Sequence, residues 1–252
     1  MTAALFSGLP FSPKNGDRLV SKAVTAAISA LFERTEKLDA QVRAEPVAKL
    51  LQGSVDGFDL IGQGLRMYNG LRLEVMELYL QSVSIDFGAV FRGLVKLQRP
   101  TQATMRVVLT PDDLTDSFNT PFAIEKLQRM TFHGQKLNFR NTDVQLTDER
   151  KLQLKTEIKL GETGDWMPLG WTAALQVEGG TKMFFRDVEY EASGIALELA
   201  KDLVGHVNSL LDLETFNLDG TQLSVDRLRV QSDRIVFYGI ARIAHFPKGK
   251  KK

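Results

Sequence analysis

LRLEVMELYLQSVSIDF (71–87), followed by GAVFRGLVKLQRP (88–100) and TQATMRVVL (101–109), is the stretch whose reading decides the fold. Apolar and polar residues alternate along it, the period of a strand with one dry and one wet face. The phase changes twice. Leu71, Leu73 and Val75 share one parity, Met76, Leu78 and Leu80 take the other, and Val83, Ile85 and Phe87 return to the first. Each one-residue slip would turn the apolar set to the wrong face of a flat strand. A bulge or sharp bend at each slip keeps the dry face inward and coils the strand. The expectation is a long, strongly curved strand, interrupted at Pro100 and resumed over 105–109.

Outward from this stretch the chain alternates helices with groups of strands. Residues 1–14, with Pro10 and Pro13, read as a loose arm. A helix opens near Asp17, and Val20, Val24, Ala27, Ile28 and Leu31 recur at helical spacing as one apolar stripe. A short turn follows over 46–51, then a glycine-interrupted strand over 55–68. TPDDL at 110–114 is a helix start, with Thr110 as N-cap and Pro111 at the first position. TPF at 120–122 repeats the device, so two short helices are expected. Strands are expected over 136–140, 143–147, 152–160, 171–178 and 183–190. A second long helix spans about 193–211, with Ala196, Leu199, Ala200, Leu203, Val207 and Leu210 as its stripe. A hairpin over 222–244 turns at Ser232–Asp233, with Leu223, Val225, Leu228, Val230, Ile235 and Phe237 on its dry side.

Helices segregated from hairpin-linked strands indicate an α+β fold. The architecture expected is a highly curved antiparallel β-sheet wrapped around long amphipathic helices. Its domain plan is an arm over 1–14, a single domain over 15–247 and a basic tail over 248–252.

Composition and charge remove several function classes. A net charge of +1 argues against a dedicated nucleic-acid binder. With no cysteine there is no disulfide, thiolate metal site or cysteine nucleophile. No run reaches the ~20 apolar residues of a membrane span. The first residues lack the basic start and apolar block of a signal peptide, so a cytoplasmic or peripheral-membrane location is expected.

The catalytic motifs are also missing. His133, His206 and His245 are not paired at metal-ligand spacing. GGTK at 179–182 lacks the upstream glycine of a phosphate cradle and reads as a β-turn. No serine sits in a GxSxG elbow. Asp112 and Asp113 are accounted for by the helix start, and Asp202 and His206 by a polar helix face. No enzyme, metal or cofactor is expected. Lys248, Lys250, Lys251 and Lys252 are the candidates for membrane-surface contact, each contributing about 1 kcal/mol near anionic lipid.

Apolar surface in an unusual geometry is what remains. Between curved sheet and helices an acyl chain gains ~0.8 kcal/mol per methylene, or ~12 kcal/mol for sixteen carbons before costs.

Two long stretches carry a resemblance. The first is LLQGSVDGFDLIGQGLRMYNGLRLEVMELYLQSVSIDFGAVFRGLVKLQRPTQATMRVVLTPDDLTDSF (50–118), the second LVGHVNSLLDLETFNLDGTQLSVDRLRVQSDRIVFYGIARI (203–243). In order and spacing, over about 45–247, they resemble the LmeA-type phospholipid-binding family. The resemblance implies a TULIP-like (tubular lipid-binding) fold and binding of phospholipid or glycolipid. The expected function is therefore non-catalytic binding or transfer of such a lipid. The acyl-chain candidates are Val24, Ile28, Leu31, Leu78, Leu80, Phe118, Phe122, Leu203 and Val207. The competing expectation is a filled-core structural module that binds a protein through a sheet edge.

Overall fold

A computed structural model describes residues 21–22, 25–26, 28–29, 32–45, 49, 53–90, 96–214 and 220–245. Over these the protein is α+β, with two antiparallel sheets, neither closed on itself. The first sheet has the order β1 (Lys37–Arg43), β2 (Ser54–Arg66), β3 (Arg72–Ser84), β4 (Thr101–Leu109), β11 (Ile235–Ile243), β10 (Thr221–Val230). The second runs β5 (Thr131–Phe132), β6 (Gln135–Leu146), β7 (Leu152–Leu160), β8 (Trp166–Glu178), β9 (Lys182–Tyr190). The chain leaves the first sheet after β4, builds the second, and returns to lay β11 against β4, pairing Leu109 with Ile235.

The phase changes in the opening stretch have a structural cause. In β3, Leu80 is buried, Ser82 adopts φ +54°, and Val83 is buried on the same side. Its partner β2 shifts with it. Val55 and Phe58 are both buried, and Val55 pairs with Val83 while Gly57 pairs with Gln81. The second interruption lies between the pairs Gln63–Val75 and Leu65–Leu73, where Gly64 has φ +57°. A left-handed residue reverses the parity without losing register, so both strands bend together.

Several expectations are corrected. The opening strand does not run on: β3 ends at Ser84 and a single helical turn, α1 (Phe87–Val90), follows. One curved sheet becomes two. Lys37–Arg43, not expected as a strand, is β1 because it pairs along its whole length with β2. The expected strands 136–140 and 143–147 are one strand, β6, bulged at Asn141 with φ +52°. β8 begins at Trp166, five residues before Trp171, where the expected strand starts.

The two short helices form as expected, α2 (Pro111–Phe118) and α3 (Pro121–Leu127). Thr110 Oγ1 accepts from Asp113 N–H at 3.2 Å, and the Asp113 carboxylate accepts from Thr110 N–H at 3.0 Å, a reciprocal capping box. Asp113 is buried, with the Arg72 guanidinium 3.6 Å from its other oxygen. Asp113→Ala removes the reciprocal half of the capping box and leaves the half-buried Thr110 N–H without its carboxylate acceptor. It is expected to lower stability by about 2 kcal/mol in urea denaturation, with Asp113→Asn losing less.

Of the first long helix, residues 21–22, 25–26 and 28–29 are helical, and Val20, Val24, Ala27 and Leu31 lie outside the described residues. The second is α4 (Ile195–Leu210), whose expected stripe is the buried one: Leu199, Ala200, Leu203 and Val207. It lies on β8 and β9.

Candidate functional site

Two apolar cores result. The first lies under one face of the six-stranded sheet. Phe58 and Leu60 of β2, Leu80 of β3, Met105 of β4 and Ile243 of β11 face it, and Ile28 is buried against them. At its margin pack half-buried side chains: Phe32, Leu38, Met76, Leu78, Leu97, Val177, Leu213, Leu223 and Phe237. The second core lies between the five-stranded sheet and α4, with Leu137, Phe139, Leu154, Ile158 and Trp171 against Leu199, Leu203 and Val207.

The seven described candidate side chains lie in three parts of the fold. Ile28, Leu78 and Leu80 belong to the first core. Phe118, Leu203 and Val207 belong to the second, where with Phe139, Leu154 and Trp171 they line a void of about 10 Å³. That is the space of one water molecule, and Thr142 and Thr156 on its wall already satisfy one another at 2.9 Å. Phe122 stands apart in a surface depression of about 950 Å³ beside Arg72 and Asp116, with Lys126 Nζ 5.5 Å above its ring. Val24, Leu31, Lys248, Lys250, Lys251 and Lys252 lie outside the described residues.

Met76 and Phe237 sit on dry faces by sequence parity, which does not assign them to a site. Val177 and Leu213 reach the same margin from the β8–β9 hairpin and from the segment after α4. Their signal is weak, because each comes from an element whose main apolar face is in the second core.

Polar chemistry is distributed over the outside. Asp56 is held below the usual carboxylate range by the Glu45 N–H, then by Lys49. Glu157 is lowered by the Arg140 guanidinium and Asp233 by Arg234. Burial raises the Tyr190 phenol. The histidines are separate: His133 stacks on Phe132, His206 Nε2 sits 3.1 Å from the Lys126 carbonyl, and His245 lies beside Gly220. Among the described residues no group of three or more His, Asp or Glu is arranged to hold a metal ion. The chemistry offered by the first core is burial of alkyl chains.

Among the described residues no helix is long and apolar enough to cross a membrane. Neither the curated proteins nor the solved structures include a match to the chain. The family model for LmeA-like phospholipid binding matches residues 16–240, which takes in both sheets, α4 and all but the end of β11. The chain belongs to the LmeA-like phospholipid-binding family.

Proposed function

We propose that the protein binds phospholipid without catalysing a reaction on it, and that the acyl chains lie on the apolar face of the six-stranded sheet. The observation that carries this reading is that apolar face, to which all six strands contribute and against which half-buried side chains such as Leu38, Leu78 and Leu223 pack. The second core is likewise bordered by half-buried side chains, and the void it lines has room for about one water molecule. Family membership supplies the ligand class. Ile28, Leu78 and Leu80 are the acyl contacts from the candidate set, with Val24 and Leu31 joined to Ile28 by helical spacing in the sequence. The bends at Gly64 and Ser82 support a TULIP-like coiling of this sheet about its covering helix. Transfer between membranes, or acceptance of a glycolipid, would use the same face. Contact with the bilayer would be transient, with Lys248, Lys250, Lys251 and Lys252 at the surface. On this reading the lipid-binding unit is one domain, 15–247.

Native mass spectrometry after incubation with phosphatidylcholine–phosphatidylglycerol vesicles tests the proposal. A near-stoichiometric phospholipid adduct is expected. Leu78→Trp, which fills the half-buried margin with a larger side chain, is expected to reduce that adduct about fivefold while the protein stays folded. A clean apo mass after incubation would overturn the lipid reading and favour the filled-core module.

A further inference from the structure

The two sheets have four edges, with β6 forming the edge of its sheet beyond the two-residue β5, and three are closed by the same device. On β1, Val42 N–H donates to Ser21 Oγ and Ala40 N–H to Thr25 Oγ1, each at 3.2 Å. On β6, Thr115 Oγ1 accepts from Val144 N–H at 2.9 Å, and the Asn119 amide both accepts from Thr142 N–H and donates to its carbonyl. On β9, Phe185 N–H donates to Asn208 Oδ1 at 2.8 Å, and Met183 N–H to the Leu211 carbonyl. In each case a helix or the segment beside it lends polar groups to an otherwise free strand edge. Such edges are otherwise templates for pairing with another chain.

The fourth edge, β10, has no such cover among the described residues. Its one backbone bond on that side, Val225 N–H to the Gly180 carbonyl at 2.7 Å, lies at a bulge. Beyond the bulge the ladder alternates. Gln231 N–H bonds to the Arg234 carbonyl across the hairpin, so Arg227 and Arg229 direct their backbone groups to β11. Leu228 and Val230 then direct theirs outward, into a groove of about 1350 Å³ between β10 and residues 175–177 of β8.

We infer that this edge takes an extended peptide segment of a partner protein, added as a further strand of the six-stranded sheet, with apolar and acidic side chains alternating. The outward N–H and C=O groups of Leu228 and Val230 fix the extended conformation. Side chains of the added strand on the inner side would meet the half-buried Leu228, Val230 and Leu175. Those on the outer side would meet Arg227 and Arg229. These two guanidinium groups stack at 4.7 and 5.8 Å from the Tyr238 ring, and neither has a carboxylate partner among the described residues. Arg150 adds a third cation to the groove wall, against Asp148 and Asp226. The same cations disfavour a second copy, because β10 against β10 would set Arg227 and Arg229 opposite their own counterparts.

Amide hydrogen exchange and NMR titration of the full chain with a synthetic peptide alternating valine and glutamate test the inference. Slowed exchange at Leu228 and Val230 is expected, with binding at least about tenfold tighter than that of the lysine-for-glutamate peptide. Val230→Pro removes an outward donor but no β10–β11 bond, and is expected to abolish binding with the fold retained. The R227E/R229E double variant, which leaves the backbone donors in place, should reverse the preference between the two peptides. Unchanged exchange at both amides with saturating peptide would overturn the inference. So would protection that rises with protein concentration alone, or that appears with phosphatidylglycerol vesicles and no peptide; these identify a second copy or a lipid as the occupant.

Discussion

Gly239→Ala is expected to destabilise the protein by about 3 kcal/mol or more, read as a lower urea midpoint. Gly239 of β11 faces Val225 of β10, where the ladder is bulged between Val225 and Arg227. A Cβ built at Gly239 overlaps the Ser224 carbonyl oxygen and comes to 2.9 Å from Val225 Cα. Both atoms are backbone, so no rotamer change relieves the overlap; the strands must part or the bulge must move. Moving the bulge also breaks the 2.7 Å bond from Val225 N–H to Gly180, the contact that seats the β8–β9 turn on the first sheet. Gly205→Ala is the contrasting case. Gly205 lies within α4 and its Cβ would meet no atom within 4 Å. It is expected to gain roughly 0.5–1 kcal/mol from helix propensity. Equal effects of the two substitutions would show that backbone approach at the bulge does not govern stability.

The bends of the first sheet were legible because they change a local quantity, the parity of apolar residues. Leu80 and Val83 cannot face one side of a flat strand, and Ser82 at φ +54° resolves the conflict. The helix starts at Thr110 and Thr120 were legible for the same local reason. What stayed hidden depends on partners far along the chain. KLDAQVR alternates only through Leu38, Ala40 and Val42, and alanine is a weak strand former; β2 makes it a strand. The division into two sheets follows from β4 pairing with β11 rather than β5, a choice no local pattern records. In β6, Asn141 splits one alternation into two, Leu137 and Phe139 before it and Thr142 and Val144 after it. It therefore reads as a gap between strands.

For the site, the same apolar stripe stands for two different environments. Ile28 and Leu203 both occupy the inward face of a helix, and both are almost fully buried. They belong to different cores. Leu203 lines the void between the five-stranded sheet and α4 with Trp171, Phe139 and Leu127, whereas Ile28 is in the core of the six-stranded sheet with Phe58, Leu60 and Leu80. Periodicity reports which way a side chain faces and carries no information about which sheet it meets, so the two groups of candidates could not be separated from sequence.

Leu203→Ala uses this difference, and is expected to lower stability by about 3 to 5 kcal/mol while leaving the phospholipid adduct of the folded fraction unchanged. The loss falls toward the upper part of the range for such truncations because the site cannot collapse. Leu203 borders a void of about 10 Å³ that is already present, and the deleted methyl groups enlarge it. α4 is not free to sink into the space, since Asn208 accepts from Phe185 N–H at 2.8 Å and the segment after it is bonded to Thr181 and Met183. Trp171 and Leu154 on the opposite wall are fixed in the middle strands of their sheet, β8 and β7. Acyl chains on the six-stranded sheet would not meet it, because the void lies in the other core, between the five-stranded sheet and α4. Urea midpoints together with native mass spectrometry of the vesicle-exposed variant check both parts. A loss of adduct from folded Leu203→Ala, with Leu78→Trp still loaded, would move the acyl chains from the first core to the second.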